Sequence, residues 1–369
     1  MERLLVLGAG AAQLGLLEAA RARGLFVIAV DRDPRAPGFR YADRRAIVPV
    51  EDEPALERLA EAERVDGVIA PGADFPVGAA ARIAARLGLP HPISPQTAVL
   101  STSKLRQRER LAQAGVPQTA WKVVSTADEV FGVPCLVRPP DRQGRRARAL
   151  VRSSRELRAA VKAALRASRI GLCLVEELVE KPVVTVSAFS RAGVFHPLTV
   201  TDRAPLADVW ESAHAKATAA LACRAVGALG IHDGPTITRL RIDPDGPRVL
   251  EVSARLGGGH EAELCQAALG VDLNALALAA ALGEAISPRR LRTRRLAGGA
   301  CVRFLAGLGT PEGLEQAAAN PRIAWIRTYA GSDRAGALLA TAATPAEALE
   351  RATRAAECVR FPAADAQVV

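Results

Sequence analysis

Arg3-Leu-Leu-Val-Leu-Gly-Ala-Gly10 is a short apolar run closing on a Gly-Ala-Gly turn, and a helical pattern follows from about Ala12 to Arg23. Gly24 stops that helix, and Phe26-Val-Ile-Ala-Val30 is a second apolar run ending at Asp31. Strand, helix and strand in this order predict a parallel sheet with crossover helices. The pattern continues with a helix around Pro54–Arg64, a strand at Gly67-Val-Ile-Ala70 and an Ala-rich helix from about Val77 to Leu87. Asp31 lies about 20 residues beyond the glycine turn, the place where a dinucleotide-binding fingerprint carries its ribose-holding acid. Gln13 occupies the third glycine position. Two readings stand at this point: an NAD-binding turn using Gly8, Gly10 and Asp31, or a strand-turn-helix that needs small residues only for its tightness.

Pro90, Pro92 and Pro95 punctuate the next stretch and suggest a boundary near residues 90–100. A helix at about Lys104–Ala114 then ends at Gly115-Val-Pro117. Strand-like runs at 122–124, 135–138 and 149–151 flank a polar loop from Pro139 to Arg148. A helix over roughly 155–167, strands at 173–179 and 183–189, and a long helix at 213–229 follow. Runs at 236–242 and 249–252 read as paired strands, and the remainder offers strands at 300–305 and 337–340 and a helix at 346–357.

The chain has 369 residues, 49% hydrophobic and 24% charged, which is the balance of a packed globular protein of two or three domains. Its net charge of +10 raises nucleic-acid binding, but only five lysines are present and the arginines are spread through the helices. With two Tyr and three Trp scattered along the chain there is no stacking set for bases, and anionic small substrates fit the charge equally well. Six cysteines without CxxC spacing sit in apolar runs, the usage of buried thiols in a reducing compartment. No apolar stretch reaches about 18 uninterrupted residues. The reading is a cytoplasmic protein with neither nucleic acid nor a membrane as partner.

Four features then fall in order. Ser103-Lys104 opens a helix ending in Gly-Val-Pro; Leu136-Val-Arg138-Pro-Pro leads into Gln143-Gly144-Arg-Arg; Glu176-Glu177-Leu178-Val179 follows; and Leu250-Glu251-Val-Ser253-Ala-Arg255 runs into Leu-Gly-Gly-Gly259. In these the sequence resembles the ATP-grasp superfamily, near its carboxylate–amine ligase, biotin carboxylase and phosphoribosylaminoimidazole carboxylase ATPase-subunit branch. Asp31-x-Asp-Pro-x-Ala-Pro-Gly38 and Ala42-Asp43 extend the resemblance into the first domain. It implies an α/β protein: a Rossmann-like pre-ATP-grasp domain over 1–95, a two-lobed ATP-grasp domain over 96–290 with its lid lobe at about 117–178, and a C-terminal α+β segment over 291–369. In that family the opening Gly-x-Gly serves a domain that usually binds substrate rather than NAD.

The resemblance implies ATP and Mg²⁺ as cofactors and small-molecule carboxylate and amine substrates. Relatives commonly dimerise, so it also allows a homodimer. Lys104 and Arg138 would clamp ATP phosphates, where charge-assisted contacts are strongest. Gln143 and Gly144, within Asp141–Arg148, would belong to a lid over those phosphates. Glu176, Glu177, Leu178 and Val179 would be the hinge whose backbone reads adenine, Glu251 would hold magnesium, and Arg255 would steady the acyl phosphate or the acceptor carboxylate. Gly257 to Gly259 would let the backbone approach the substrate.

The sequence also departs from the pattern. The second phosphate-binding lysine is Arg138, the lid keeps one glycine, and an acidic position after the hinge falls on Val183. The first of two metal-binding glutamates falls on Arg239, and the asparagine between the acidic and arginine positions is Ser253. Arg239 beside Glu251 favours an ion pair over a magnesium site. Lys104 could equally be a surface lysine, Glu176 and Glu177 solvated charges at a strand end, and His260 and Glu261 loop residues rather than proton-transfer groups. Two classes of function follow: an ADP-forming ligase, or a catalytically impaired homologue that binds a nucleotide or metabolite.

Overall fold

The computed structural model describes residues 1–141, 148–179, 183–202, 206–207, 213–307, 309–329 and 335–361. It contains four four-stranded sheets. The first is parallel, in the order Arg44–Ile47, Phe26–Asp31, Arg3–Leu7, Gly67–Ile69. Because successive side chains alternate faces, the apolar run at 4–7 must bury both. Leu4 and Val6 pack with Leu14, Leu17 and Leu276, while Leu5 and Leu7 pack with Leu56, Ala80 and Ile83. The helices that cover this sheet are Leu14–Ala22, Glu53–Ala62, Phe75–Leu87 and, from much later in the chain, Leu273–Ala281.

The second sheet is antiparallel in the order Trp121–Val124, Cys173–Glu177, Cys135–Arg138, Ala149–Val151. Helix Ser154–Ala167 seals one face through Val161 and Ala164 against Cys135, Val137 and Val175. The third and central sheet orders Val194–Asp202, Val183–Arg191, Gly234–Asp243 and Gly246–Ser253, all antiparallel. One face, carrying Val186, Val200, Leu240 and Val252, packs on Leu221, Ala225 and Val226 of helix Ala213–Ala228. The fourth orders Leu206–Ala207, Gly299–Leu305, Gly336–Ala342 and Ile323–Thr328, with helix Pro345–Cys358 against Cys301, Leu338 and Ala340.

The sequence reading finds most of these elements and misses those whose signal is broken. Pro197 interrupts the pattern of Val194–Asp202, and a bulge between Pro197 and Thr199 accommodates it on an outer strand of the sheet. Pro95 opens the helix Pro95–Thr102, where a proline costs no hydrogen bond, instead of marking a linker. Helices Glu261–Leu269 and Leu273–Ala281 are also missed: Leu273–Ala281 is apolar nearly all round because it lies buried against the first sheet, and Glu261–Leu269 is short and opens directly on the glycine run. The buried-thiol reading holds for Cys135, Cys173, Cys265 and Cys301, whereas Cys223 is exposed on its helix and Cys358 half-buried. Among the described residues no single helix is long and apolar enough to cross a membrane.

Gly67 marks how tightly the late helix docks on the first sheet. A Cβ there would stand 2.6 Å from the Ala281 carbonyl oxygen. Gly67→Ala is expected to cost about 1–3 kcal/mol, since backbone cannot retreat as a side chain can. Urea unfolding checks this; an unchanged midpoint would contradict the docking.

Candidate active site

Ser103 caps the helix Lys104–Gln113, and Lys104 and Arg108 lie four residues apart on one face of it. Arg108 enters the protein between the second and third sheets. Its Nε and Nη2 donate to Glu176 Oε1 at 3.0 and 2.8 Å, and its Nη groups also donate to the Leu250 carbonyl (2.9 Å), the Val249 carbonyl (3.2 Å) and Gln118 Oε1 (3.1 Å). Glu176 sits on strand Cys173–Glu177 and also meets Arg138 from the neighbouring strand. Burial alone would raise the Glu176 carboxyl, yet Arg138 and Arg108 together hold it below its ordinary range. Glu176 is therefore no solvated strand-end charge. Glu177 is bound too, accepting from Arg241 Nη1 (2.5 Å) and the Ala120 amide (3.2 Å).

Lys104 points into the same cleft and pairs with Glu251 Oε1. Burial pulls its ammonium down to about 8, with Asp74 opposing the shift and Arg138 adding to it. Arg239 and Glu251 stand directly opposite on adjacent antiparallel strands, with Arg239 Nη1 3.7 Å from Glu251 Oε2. Arg255 reaches across to the first domain, where Nε and Nη2 donate to the two carboxylate oxygens of Asp74 at 2.8 and 3.0 Å. The glycine run following it packs against the loop before Asp74: a Cβ on Gly258 would lie 2.8 Å from the Gly72 carbonyl, and the Gly72 amide donates to the Leu256 carbonyl at 3.2 Å. Lys104, Arg108, Arg138, Arg239 and Arg255 thus face three carboxylates, Asp74, Glu176 and Glu251.

The donor set around Glu251 does not fit a divalent cation. Its two oxygens face an ammonium and a guanidinium, and among the described residues no three acidic, histidine or cysteine side chains gather into a metal-sized cluster. Gln143 and Gly144 lie outside the described residues. Leu178 and Val179 are half-buried just beyond strand Cys173–Glu177, and Val183 is buried at the start of the next strand.

The glycine turn at the amino end is closed to a dinucleotide. Asp31 spends one oxygen on the Ala9 amide (2.9 Å) and the other on the Asp33 amide (3.0 Å). Gln13 lies over Gly8 and Gly10 and donates to the Pro71 carbonyl at 2.7 Å. The NAD reading is corrected accordingly: the acid and the space it needs are both used internally.

His260 is likewise more than a loop residue. It is buried at the start of helix Glu261–Leu269, with Nε2 against the Tyr329 hydroxyl and Nδ1 3.2 Å from Glu263 Oε1. Glu263 also accepts from Arg327 Nη1 at 2.6 Å, and a Cβ on Gly15 would collide with its carboxylate. Glu261 accepts from the Gly259 amide at 2.7 Å.

Asp74, Arg108, Glu263 and Arg327 escaped the sequence reading. Arg108 carried a usable signal, its i+4 spacing from Lys104. Asp74 carried another, its place just beyond the carboxyl end of a parallel strand, where open α/β sheets bind ligands.

No family model matches the sequence. The chain is 27% identical to the uncharacterized protein y4rH of Sinorhizobium fredii (strain NBRC 101917 / NGR234), over 85% of this chain and 70% of that one. It is 28% identical to the formate-dependent phosphoribosylglycinamide formyltransferase of Burkholderia lata, over 97% of this chain and 95% of the relative. Its structure superposes on the L-amino acid ligase from Bacillus licheniformis with a TM-score of 0.82 at 21% identity, covering 97% and 98% of the two chains. It superposes on N5-carboxyaminoimidazole synthase from Aspergillus clavatus, in complex with ADP and an aminoimidazole ribonucleotide, with a TM-score of 0.78 at 18% identity over 97% and 98%. The chain has the ATP-grasp fold. Its charged cleft lies between the second sheet and the central sheet. Among its relatives in sequence and structure are a formyltransferase, an amino acid ligase and a carboxyaminoimidazole synthase.

Two measurements test this charge network. Arg108→Ala leaves Glu176 buried opposite one fewer cation and is expected to cost about 3–5 kcal/mol, with Arg108→Ala/Glu176→Ala costing less than the sum of the singles. Additive losses in denaturant unfolding would refute the pairing.

Glu263 is held down to about 2 against its own burial, by the His260 hydrogen bond and charge and then by Arg327. A depressed carboxylate stabilises above its unfolded value of 4.5, and that stability is lost as pH falls toward 2. The wild type is expected to lose on the order of 3 kcal/mol more than Glu263→Gln between those limits. Parallel acid limbs in pH-dependent unfolding would contradict this.

Proposed function

We propose that the chain is an ATP-dependent, ADP-forming ligase of the carboxylate–amine type, acting in the cytoplasm on small molecules. The carrying observation is the convergence of Lys104, Arg138 and Arg239 on one cleft between the second and central sheets, with Arg255 paired to Asp74 beside it. Phosphoryl transfer asks the protein for position and charge neutralisation more than for covalent chemistry, and these side chains supply both.

In this reading a substrate carboxylate oxygen attacks the γ-phosphorus, the bond to the β-phosphate oxygen breaks, and ADP leaves an acyl phosphate behind. An amine nitrogen then attacks the acyl carbon, phosphate departs, and the amine's proton passes to solvent. Lys104 and Arg138 hold phosphate oxygens by exchanging Glu251 and Glu176 for them. The backbone at 176–179 reads the adenine edge. Arg255 orients the acceptor carboxylate or the acyl phosphate. No step is assigned to magnesium, because the residues around Glu251 do not form its site.

The Arg239–Glu251 pair favours a second reading, an impaired homologue that keeps nucleotide or metabolite binding without turnover. Release of ADP from ATP in the presence of pooled carboxylates and amines, run beside calorimetric titration with ADP, separates the two. Substrate-dependent ADP release supports the ligase. Binding without release establishes the second reading, and absence of both refutes each.

A further inference from the structure

The residue rows on the cleft face of the central sheet show what stands where an ATP-grasp metal would lie. Residues directly opposite across strands share a face. Thr201, Thr185, Arg239 and Glu251 form one such row across all four strands, and Thr199, Ser187, Ile237 and Ser253 form the next. Thr199, Thr201 and Ser187 are fully buried, and their hydroxyl oxygens have no hydrogen-bond partner. A buried hydroxyl left unpaired costs free energy, and Ser190, Thr236 and Thr238 on the helix-packed face of the same sheet are unpaired too, so the hydroxyls add polar groups to the cleft face without marking a site by themselves. Hydroxyls can donate or accept, but the charged groups beside them decide the sign. Arg239 lies in the same row, Lys104 reaches Glu251 at its end, and Arg138 approaches from the second sheet. Glu251 is the carboxylate of that row, with both of its oxygens already facing cations, while Arg138 is paired with Glu176.

We infer that this chain has exchanged the divalent-metal site of the ATP-grasp cleft for an anion site, in which Arg239 and Lys104 take the terminal phosphates of a nucleoside di- or triphosphate without a metal ion. The inference rests on the nucleotide reading proposed above and deepens it. A fixed guanidinium carries the positive charge that an ion would bring, and its planar fork donates two parallel hydrogen bonds to a phosphate. Glu251 keeps Arg239 aimed at the cleft and yields to the incoming phosphate. The adjacent threonine and serine hydroxyls donate to phosphate oxygens in place of metal-bound water.

Calorimetric titration of the full chain with ATP, ADP and inorganic tripolyphosphate, each with EDTA and with excess Mg²⁺, tests this directly. Wild-type affinity for ATP is expected to differ by less than about threefold between the two conditions, and Arg239→Gln to weaken metal-free binding by about tenfold or more. Arg239→Glu, which supplies a second carboxylate opposite Glu251, is expected to bind ATP at least about tenfold tighter with Mg²⁺ than without. Far-ultraviolet circular dichroism and the melting temperature of each variant show that it is folded. Wild-type binding that Mg²⁺ tightens by more than threefold, or an Arg239→Gln variant with unchanged metal-free affinity, overturns the inference while leaving nucleotide binding intact. Metal-free binding of tripolyphosphate without ATP binding keeps the anion site and removes the nucleotide. No binding of any of the three overturns both.

Discussion

The buried ion pair between Arg108 and Glu176 is the contact on which the cleft depends. It joins a helix that precedes the second sheet to a strand inside that sheet, and the same guanidinium reaches the carbonyls of Val249 and Leu250 in the central sheet. One side chain thus sets the spacing of both cleft walls. Removing two charges from water is expensive, and the cost is offset here because the arginine's donors meet several oxygens and the carboxylate meets two cations. A buried network with that many contacts fixes geometry more strongly than it adds stability. Lys104, one turn earlier on that helix, and Arg138, on the other side of Glu176, inherit their positions from it.

The remaining cations of the cleft follow the same rule, each pinned by one carboxylate: Lys104 and Arg239 by Glu251, Arg255 by Asp74. Long, flexible cationic chains would otherwise spread into solvent, and the pairs keep them pointing inward. An anionic ligand competes with those carboxylates rather than entering a bare positive hole, which lowers affinity for small anions and favours ligands that engage several cations together. The Asp74–Arg255 pair also bridges the first domain to the central sheet, beside the close approach of Gly258 to Gly72.

Much of the fold was legible because hydrophobic period and turn residues act locally. The Leu4–Leu7 run, the Gly24 stop and the Ser103 cap each announce their element within a few residues. Val194–Asp202 was not legible, since Pro197 spoils a pattern that only a bulge on an outer strand could rescue. Helix 273–281 escaped because burial on nearly all sides erases the amphipathic stripe that a sequence reading looks for. The site was legible in its residue types: Lys104, Arg138, Glu251 and Arg255 all reach the cleft, and the Arg239–Glu251 pairing expected from the sequence is present. Glu176 was misjudged as a candidate solvated charge because its partner Arg108 lies 68 residues away in sequence.

The amino-acid sequence by itself determined the alternation of strands and helices, the order of the charged residues that come to line the cleft, and the placing of Arg239 on the strand paired with that of Glu251. These are properties of local period and residue identity. Tertiary structure alone decided which charges neutralise which, that Gln13 and the inward-turned Asp31 close the first glycine turn, and that Arg239 shares a sheet face with the unpaired hydroxyls of Thr199, Thr201 and Ser187. Pairing energies fall off within a few ångströms, so they depend on distances that strand register and helix docking fix and that separation along the chain does not encode.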